Sequence, residues 1–139
     1  MSDNPKLILF PSNNIYVAPS SVQGLGVFAR HLIKIGDVIE EAPLILIPED
    51  QISDITKTRL LEYYFAWGNK FSEAAIGLGY ASLYNHSFEP NAKYIKDVEN
   101  SLLRFVAIKD IKQDEEIVVN YNGHPDDKTK LWFQARLQL

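Results

Sequence analysis

The chain has 139 residues, of which 46% are hydrophobic and 23% charged, so it can fold as one domain of ordinary size around a core of its own. Its 14 basic and 18 acidic residues leave a net charge of −4, which argues against a dedicated nucleic-acid-binding protein because such proteins display a basic surface. Cysteine is absent, which excludes disulfide frameworks, zinc–cysteine sites, iron–sulfur clusters and thiol catalysis.

The N-terminal residues show no basic stretch followed by an apolar one, so no secretory signal peptide is visible. The longest apolar runs, such as residues 44–47, are far too short to span a bilayer. No repeat, low-complexity tract or flexible linker divides the chain. We therefore expect one soluble, intracellular domain over residues 1–139, in which residues 1–12 are loosely held.

Short apolar runs in the N-terminal half, bounded by prolines or by a glycine–aspartate turn, predict β-strands. They cover residues 15–18, 27–30, 38–39 and 44–47. Residues 49–67 give the best helical pattern in the chain, although the aromatic residues at 63–65 favour a strand. Both possibilities stay open for this segment.

The C-terminal half begins with an irregular stretch rich in turn-forming residues, which is followed by three predicted strands. The strands cover residues 92–96, 102–108 and 116–120. Acidic residues at 126–127, followed by residues 128–137, fit a helix with acids in its first turn. Many short strands with few helices predict a mainly β fold and argue against a parallel βαβ sheet.

The sequence Gly-Leu-Gly-Val-Phe-Ala at residues 24–29 formally matches the dinucleotide-binding fingerprint, which needs a strand before it and a helix after it. Pro19 interrupts the preceding strand and Gly36 would end the helix after a few residues, so we reject a dinucleotide site. Two glycines can still bring the backbone close to a ligand. On these residues alone, a plain β-turn or bulge is the favoured interpretation.

A polar loop, Tyr-Asn-His-Ser at residues 84–87, precedes a rigid Pro-Asn pair and could line a site. A serine beside a histidine is not how a nucleophile and its base are usually arranged. The three histidines, at positions 31, 86 and 124, lack metal-ligand spacing, so no metal site is expected. The loop is therefore either a binding loop or a turn capped by Asn and Ser side chains.

Two tyrosines lie in or directly after predicted strands: Tyr94 in the first of the C-terminal strands, and Tyr121 after the last. The adjacent acids Glu115 and Glu116 point to opposite sides of a strand, which argues against a facing carboxylate pair of the glycosidase type. On their own, both tyrosines are most simply half-buried strand residues. None of these features alone settles a function.

Taken in order, three segments resemble the successive motifs of the SET domain, a family of protein-lysine methyltransferases that use S-adenosylmethionine. They are Gly-Leu-Gly-Val-Phe-Ala at 24–29, Tyr-Asn-His-Ser-Phe-Glu-Pro-Asn at 84–91 and Asp-Glu-Glu-Ile-Val-Val-Asn-Tyr at 114–121. The resemblance covers about residues 14–134, and the middle motif is its most specific part. It implies a mainly β fold of small curved sheets and short helices, with a knot-like crossing in which the C-terminal segment passes beneath a loop.

The resemblance also implies a set of cofactor-binding residues: Gly24, Leu25, Gly26, Asn85, His86, Tyr121 and Trp132. Residues 24–26 would lie along the methionine part of S-adenosylmethionine, Asn85 would bond its amino end, and His86 would meet the adenine largely through backbone groups. Trp132 is more loosely similar to a C-terminal aromatic residue that packs on the adenine in some members.

Tyr121 and Tyr94 are the catalytic residues that the resemblance implies. Tyr121 would stand where the cofactor and the lysine channel meet, and Tyr94 would help to line that channel. The implied reaction transfers a methyl group to the ε-amine of a lysine in a basic, histone-like protein or peptide, without a metal, a membrane or direct contact with nucleic acid. The implied location is the cytoplasm, the nucleus or a nucleoid.

The sequence also departs from the family pattern. Residues 42–44, Ala-Pro-Leu, stand where many members have Tyr-x-Gly, so one channel tyrosine is missing and the degree of methylation is open. Asn120 replaces the usual aspartate before the final tyrosine, and no cysteine-rich segment follows, so residues 127–137 would have to close the site. The missing Tyr-x-Gly motif keeps one alternative open, a catalytically weak or inactive SET-like module that binds a peptide or cofactor. A β-rich interaction domain without a cofactor is a second alternative.

Overall fold

The computed structural model describes residues 8–68 and 72–131. Within these ranges the chain forms short strands, 3₁₀ turns and an α-helix of four residues, α1 (Ile52–Ile55). The strands are β1 (Ile15–Pro19), β2 (Leu25–Ala29), β3 (Val38–Ile47), β4 (Phe65–Trp67), β5 (Glu73–Gly77), β6 (Asn85–His86), β7 (Ala92–Asp97), β8 (Leu102–Ala107) and β9 (Glu116–Val119). The 3₁₀ turns are Glu49–Gln51, Arg59–Glu62 and Ala81–Leu83.

The strands pair in two sheets. The order is β1–β2–β9–β6 in the four-stranded sheet and β4–β5–β3–β8–β7 in the five-stranded sheet. The pairings are antiparallel, except that β6 runs parallel to β9. Strand β9 therefore lies between two strands from much earlier in the chain, which joins the N-terminal hairpin to the centre of the sequence.

The five-stranded sheet curls until its two edge strands, β4 and β7, contact each other. The rings of Phe65 on β4 and Tyr94 on β7 meet edge to face, with centroids 5.3 Å apart. Lys96 on β7 donates from Nζ to the carbonyl of Ala66 on β4 over 2.7 Å. This closure leaves a space beside the two strands that is lined by aromatic rings. The mainly β architecture of small curved sheets confirms the predicted fold class.

The buried core draws on both sheets. Its largest fully buried side chains are Trp67, Tyr84, Phe105, Ile15, Ile39, Leu102, Leu103, Ile111, Ile117, Val27 and Val119. Tyr84 stacks on Phe105 with ring centroids 4.1 Å apart, an arrangement worth roughly 0.5–1.5 kcal/mol beyond the buried area. Core packing thus fixes the residue that directly precedes β6.

For residues 49–67, where a helix and a strand both stayed open, a continuous helix does not form and a strand forms at the aromatic end. Only α1 and two flanking 3₁₀ turns are helical, and the aromatic end of the segment forms β4. Thr58 explains the break, because its hydroxyl donates to the Ile55 carbonyl and accepts from the Leu60 amide. Such local side-chain bonds compete with continuation of a helix.

The predicted C-terminal helix is also wrong over its described part, since residues 127–131 are not helical. Side-chain amides explain this. Asn120 donates to the carbonyl of Asp127 over 2.6 Å, and Asn122 donates to the carbonyl of Thr129 over 2.6 Å. These carbonyls are therefore engaged by side chains that lie earlier in the sequence. The rest of the predicted helix lies outside the described residues.

No helix in the described parts of the chain is long and apolar enough to cross a membrane.

Candidate active site

The adjacent strands β2, β9 and β6 bring the three sequence motifs together. Asn85 and His86 constitute β6, and Tyr121 follows β9 after one residue. Gly24 adopts a left-handed conformation with φ of +47° in the turn before β2, where its carbonyl accepts from the Ser20 amide over 2.8 Å. Segments that are widely separated in sequence thereby form one continuous surface.

The side chain of Asn85 is buried and holds the glycine turn. Its Nδ2 donates to the Gln23 carbonyl at 3.0 Å, the Leu25 carbonyl at 3.1 Å and the Glu116 carboxylate at 2.8 Å. All three partners are acceptors, so the amide nitrogen must face them and the amide oxygen must face the other way. Asn85 therefore presents an acceptor on the side opposite the turn.

Glu116 is a site residue to which the sequence analysis gave no role. One carboxylate oxygen accepts from the Ser20 hydroxyl over 2.7 Å and the other accepts from Asn85. A Cβ added at Gly26 would lie 2.9 Å from Cδ of Glu116 and 3.1 Å from Cβ of Ser20, so a larger residue here would displace the carboxylate. Glu116 is brought to the glycine turn by its cross-strand register with β2. The sequence alone does not reveal this register.

His86 faces Tyr121 through its imidazole. Its Nδ1 accepts from the Tyr121 backbone amide over 3.0 Å, so in the neutral ring the proton is on Nε2. Nε2 is buried, without a hydrogen-bond partner among the described residues, and the Phe88 ring packs edge-on at 4.4 Å between centroids. Burial lowers the pKa of His86 from its ordinary value of 6.5. The imidazole is thus held neutral near pH 7.

The hydroxyl of Tyr121 donates to the backbone carbonyl of Tyr84 over 2.6 Å. Burial, with lesser contributions from Tyr63, Tyr94 and Glu116, raises the pKa of Tyr121. The phenol is therefore neutral at physiological pH and acts as a donor. Tyr94 in turn donates its hydroxyl to the Tyr121 carbonyl over 3.2 Å, and burial raises the pKa of Tyr94 to about 12. The two tyrosines predicted to be catalytic are thus in direct contact.

Both tyrosines line a cavity of about 320 Å³ between the curled sheet and the end of β9. The other lining residues are Leu61, Glu62, Tyr63, Tyr64, Phe65, Ala66, Ala81, Ser82, Tyr84, Lys96, Val119 and Asn122. Desolvation lowers the pKa of Lys96. The aromatic run at 63–65 is visible in the sequence, where it predicts only secondary structure.

The position of the missing Tyr-x-Gly motif does not line this cavity. Ala42 is fully buried in the core, and Leu44 packs against the core from β3. The aromatic wall comes instead from Tyr63, Tyr64 and Phe65, which follow a 3₁₀ turn. The absence of that motif therefore does not leave the cavity without tyrosines.

Other residues of the polar loop have structural partners. Asn91 is buried and donates to the Glu116 carbonyl over 2.8 Å while accepting from the Val118 amide over 2.9 Å. Ser87 caps the following turn by accepting from the Glu89 amide. The segment is thus both a turn and, through Asn85 and His86, a candidate binding loop.

The C-terminal segment folds back onto the site as far as it is described. Lys128 donates from Nζ to the Phe88 carbonyl, Asn122 donates to the carbonyls of Asp127 and Thr129, and Leu131 is buried. Asn120 donates to two carbonyls of this segment, which the aspartate usual in the family could not do. Trp132 lies outside the described residues.

The sequence profile of the SET domain matches residues 24–122, which contain Gly24, Asn85, His86, Tyr94 and Tyr121. The chain belongs to the SET-domain family. A histone-lysine N-methyltransferase of Schizosaccharomyces pombe, named as specific for histone H3 lysine 37, is 31% identical over 113 residues, which are 81% of this chain and 71% of that protein. The SET-domain resemblance is thereby confirmed.

Further relatives agree. A Candida glabrata histone-lysine N-methyltransferase, named as specific for histone H3 lysine 36, is 33% identical over 117 residues, 78% of this chain and 16% of that much longer protein. A candidate histone methyltransferase of Plasmodium falciparum superposes with a TM-score of 0.63 at 34% identity, covering 79% of this chain and 97% of that chain. A chain of an apo PRC2 complex with substituted Ezh2 gives 0.60 at 25% identity, covering 79% and 15%. This SET protein is a protein-lysine methyltransferase.

Proposed function

We propose that this SET protein transfers a methyl group from S-adenosylmethionine to the ε-amine of a lysine in a basic, histone-like protein. The observation that carries the proposal is the Tyr121 hydroxyl bonded to the Tyr84 carbonyl at the wall of an aromatic cavity. The glycine turn and Asn85 lie on the adjoining strands. A lysine site and a cofactor site would therefore meet at Tyr121.

The residues around β6 fit the cofactor by their chemistry. S-adenosylmethionine, when bound, supplies an electrophilic methyl group on a sulfonium. The Asn85 amide oxygen is a suitable acceptor for an ammonium group, and the Glu116 carboxylate, which accepts from the Asn85 nitrogen, adds negative charge to this part of the site. Gly24 and Gly26 leave the backbone of the turn free of side chains, with Leu25 exposed between them. The buried Nε2 of His86 is a donor whose partner a ligand would supply.

The cavity fits a lysine side chain. Rings of Tyr64, Phe65 and Tyr94 can pack along its aliphatic part, while Tyr121 and nearby carbonyls orient its amine. A lysine with a pKa near 10.4 must lose a proton before it attacks, at a cost of about 4–5 kcal/mol at pH 7 in water. An apolar cavity disfavours the ammonium form and so reduces this cost. Positioning then carries most of the catalysis, because direct transfer of the methyl group needs no covalent enzyme intermediate.

The relatives support the substrate class and the location. Their names specify lysines of histone H3, and the net charge of −4 suits a basic partner. We extend this to a basic lysine-bearing protein or peptide as the partner, without direct contact to nucleic acid or membrane. A location in the nucleus, the nucleoid or the cytoplasm follows from such a partner.

Mass spectrometry with heavy-methyl S-adenosylmethionine tests the proposal. The purified chain is incubated with core histones or with a mixture of other basic proteins, and modified lysines are mapped. Heavy methyl groups on lysine in the wild-type reaction, and their loss with Tyr121→Phe, are expected. Binding of S-adenosylmethionine by calorimetry without transfer to any protein would favour a non-catalytic module, and no binding at all would favour an interaction domain.

A further inference from the structure

A buried carboxylate binds the side chain of Tyr84, the residue whose backbone carbonyl accepts from Tyr121. Glu40 on β3 is only 8% exposed. One of its oxygens accepts from the Tyr84 hydroxyl over 2.8 Å and the other accepts from the Tyr80 backbone amide over 2.9 Å. Tyr80 and Tyr84 flank the 3₁₀ turn Ala81–Leu83, so a single side chain binds both ends of that turn.

The chain accommodates this carboxylate closely. Gly79, at φ of +61°, would bring any Cβ into contact with an oxygen of Glu40, so a larger residue there would displace the carboxylate. On the other side the Tyr84 ring stacks on Phe105. Burial raises the pKa of Glu40, while its two hydrogen bonds oppose that rise. An apolar side chain of similar volume would avoid this desolvation, so the contribution of this carboxylate lies in its hydrogen bonds to Tyr80 and Tyr84 and not in packing alone.

Tyr84 connects this carboxylate to the site. Its hydroxyl donates to Glu40, its ring is fixed on Phe105, and its carbonyl accepts from the Tyr121 hydroxyl over 2.6 Å. A shift of Tyr84 would therefore move the acceptor that orients Tyr121. Displacements of a fraction of an ångström in such contacts are enough to slow a reaction that depends on alignment.

We propose that Glu40 is a positioning residue for methyl transfer, acting through Tyr84 to fix the carbonyl that orients Tyr121. This role rests on the proposed function, because the Tyr121–Tyr84 contact matters for catalysis only if Tyr121 takes part in methyl transfer. Glu40 itself does not line the cavity that contains Tyr121. It would act on the turnover rate and not on the affinity for either substrate.

Two variants separate the positioning role of Glu40 from its contribution to packing. Glu40→Leu removes both acceptors at similar volume, and Tyr84→Phe removes only the hydroxyl. Glu41→Gln is the matched control, because the neighbouring Glu41 pairs with Arg104 away from the cavity. We expect kcat to fall about tenfold in Glu40→Leu and Tyr84→Phe, with KM for a lysine peptide and the dissociation constant of S-adenosylmethionine within about twofold of wild type. The control should keep the wild-type values.

A double-mutant cycle with Tyr121→Phe is the decisive measurement. If Glu40 acts through the Tyr84–Tyr121 contact, Tyr84→Phe should lower kcat no further once the Tyr121 hydroxyl is absent. Tyr84→Phe and Tyr121→Phe should also show non-additive losses of thermal stability in the unliganded protein. This measurement remains informative even if wild type transfers no methyl group. Additive effects on both quantities, or a wild-type kcat in folded Tyr84→Phe, would overturn the role. If Glu40→Leu does not fold, Tyr84→Phe alone still decides.

Discussion

The backbone amide of Tyr121 donates to Nδ1 of His86 over 3.0 Å. This bond ties Tyr121, two residues beyond the end of β9, to the end of β6, so the predicted catalytic tyrosine and a predicted cofactor residue share one contact. It requires an unprotonated Nδ1, which fits the lowered pKa of His86. The alignment of Tyr121 therefore depends on the protonation state of a neighbouring side chain.

The first prediction concerns pH. Burial places the pKa of folded His86 below its ordinary value of 6.5, so its contribution to stability is present above that value and is lost as the pH falls toward the folded pKa. Denaturant unfolding from about pH 8 to about pH 5 should show wild type losing stability relative to His86→Gln. His31→Gln, at an exposed position, serves as control. A constant difference between wild type and His86→Gln across this range would contradict the assignment.

The second prediction is that Tyr121→Phe lowers kcat by roughly 10²-fold, the scale of losing a contact made in the transition state. The ring and its packing remain, so folding and cofactor affinity should stay close to wild type. Steady-state kinetics with calorimetry of S-adenosylmethionine binding measures both. Tyr94→Phe should have a smaller effect and alter how many methyl groups are added.

Tyr16→Phe is a matched control for that experiment, because Tyr16 donates its hydroxyl to Asp114 at the protein surface. It should leave turnover unchanged. Undiminished turnover in Tyr121→Phe would show that catalysis depends on another residue. Loss of the fold would show that Tyr121 is an ordinary core tyrosine.

The third prediction compares two glycines. In Gly26→Ala the new Cβ would lie 2.9 Å from Cδ of Glu116, so the carboxylate that bonds Asn85 must move. We expect the affinity for S-adenosylmethionine to fall at least about tenfold, measured by calorimetry, because the orientation of Asn85 changes with it. Gly36→Ala is the control, since Gly36 has φ of +90° with open space around it. That control should lose stability through backbone strain while it keeps cofactor affinity.

The sequence predicted most strands because they carry their own signals. Runs such as β8 alternate or concentrate apolar residues, and turns such as that at Gly36 contain the residues that turns need. The segments predicted as helices failed because side chains of Thr58, Asn120 and Asn122 engage backbone groups locally. Periodicity does not report such bonds.

The resemblance predicted the motif residues of the site, but it did not predict the hydrogen bonds that hold those residues in place. Glu116 reaches Asn85 through the parallel pairing of β9 with β6, and Glu40 reaches Tyr84 across 44 residues of sequence. The cavity wall formed by Phe65 depends on the curling of a sheet until its edges meet. These are long-range consequences of topology, which local sequence patterns do not encode.

The fourth prediction concerns Trp132, expected from the resemblance to pack on the adenine. The segment before it is tied to the site by the bond from Lys128 to the Phe88 carbonyl and by the bond from Asn122 to the Thr129 carbonyl. Trp132→Ala should weaken binding of S-adenosylmethionine, measured by calorimetry, and circular dichroism must show that the fold persists. Lys130→Ala, an exposed change in the same segment, should bind normally. Equal affinities of Trp132→Ala and Lys130→Ala for S-adenosylmethionine would show that Trp132 does not contribute to the cofactor site.

The last prediction uses the acceptors around Asn85. Asn85→Asp replaces a nitrogen that donates to two carbonyls and to Glu116 with an oxygen that can only accept. The two carboxylates would then repel each other, so both cofactor affinity and stability should fall, the latter by about 1–3 kcal/mol. Asn85→Ala should also lower affinity, and it leaves the charge of the turn unchanged.

A second substitution separates the effect of the orientation of the Asn85 amide from the effect of side-chain size. In Asn85→Asp combined with Glu116→Gln the amide is transferred to position 116, so the bond between these two side chains can form again with its polarity reversed. We expect stability to recover in part, measured by denaturant unfolding. Affinity for S-adenosylmethionine should stay low, because a carboxylate at position 85 still cannot donate to the carbonyls of Gln23 and Leu25 that hold the turn. Asn100→Asp, in the exposed turn beside Asp97, is the control and should retain wild-type affinity. If Asn85→Asp alone binds S-adenosylmethionine as tightly as wild type, the amide of Asn85 does not organise the cofactor site.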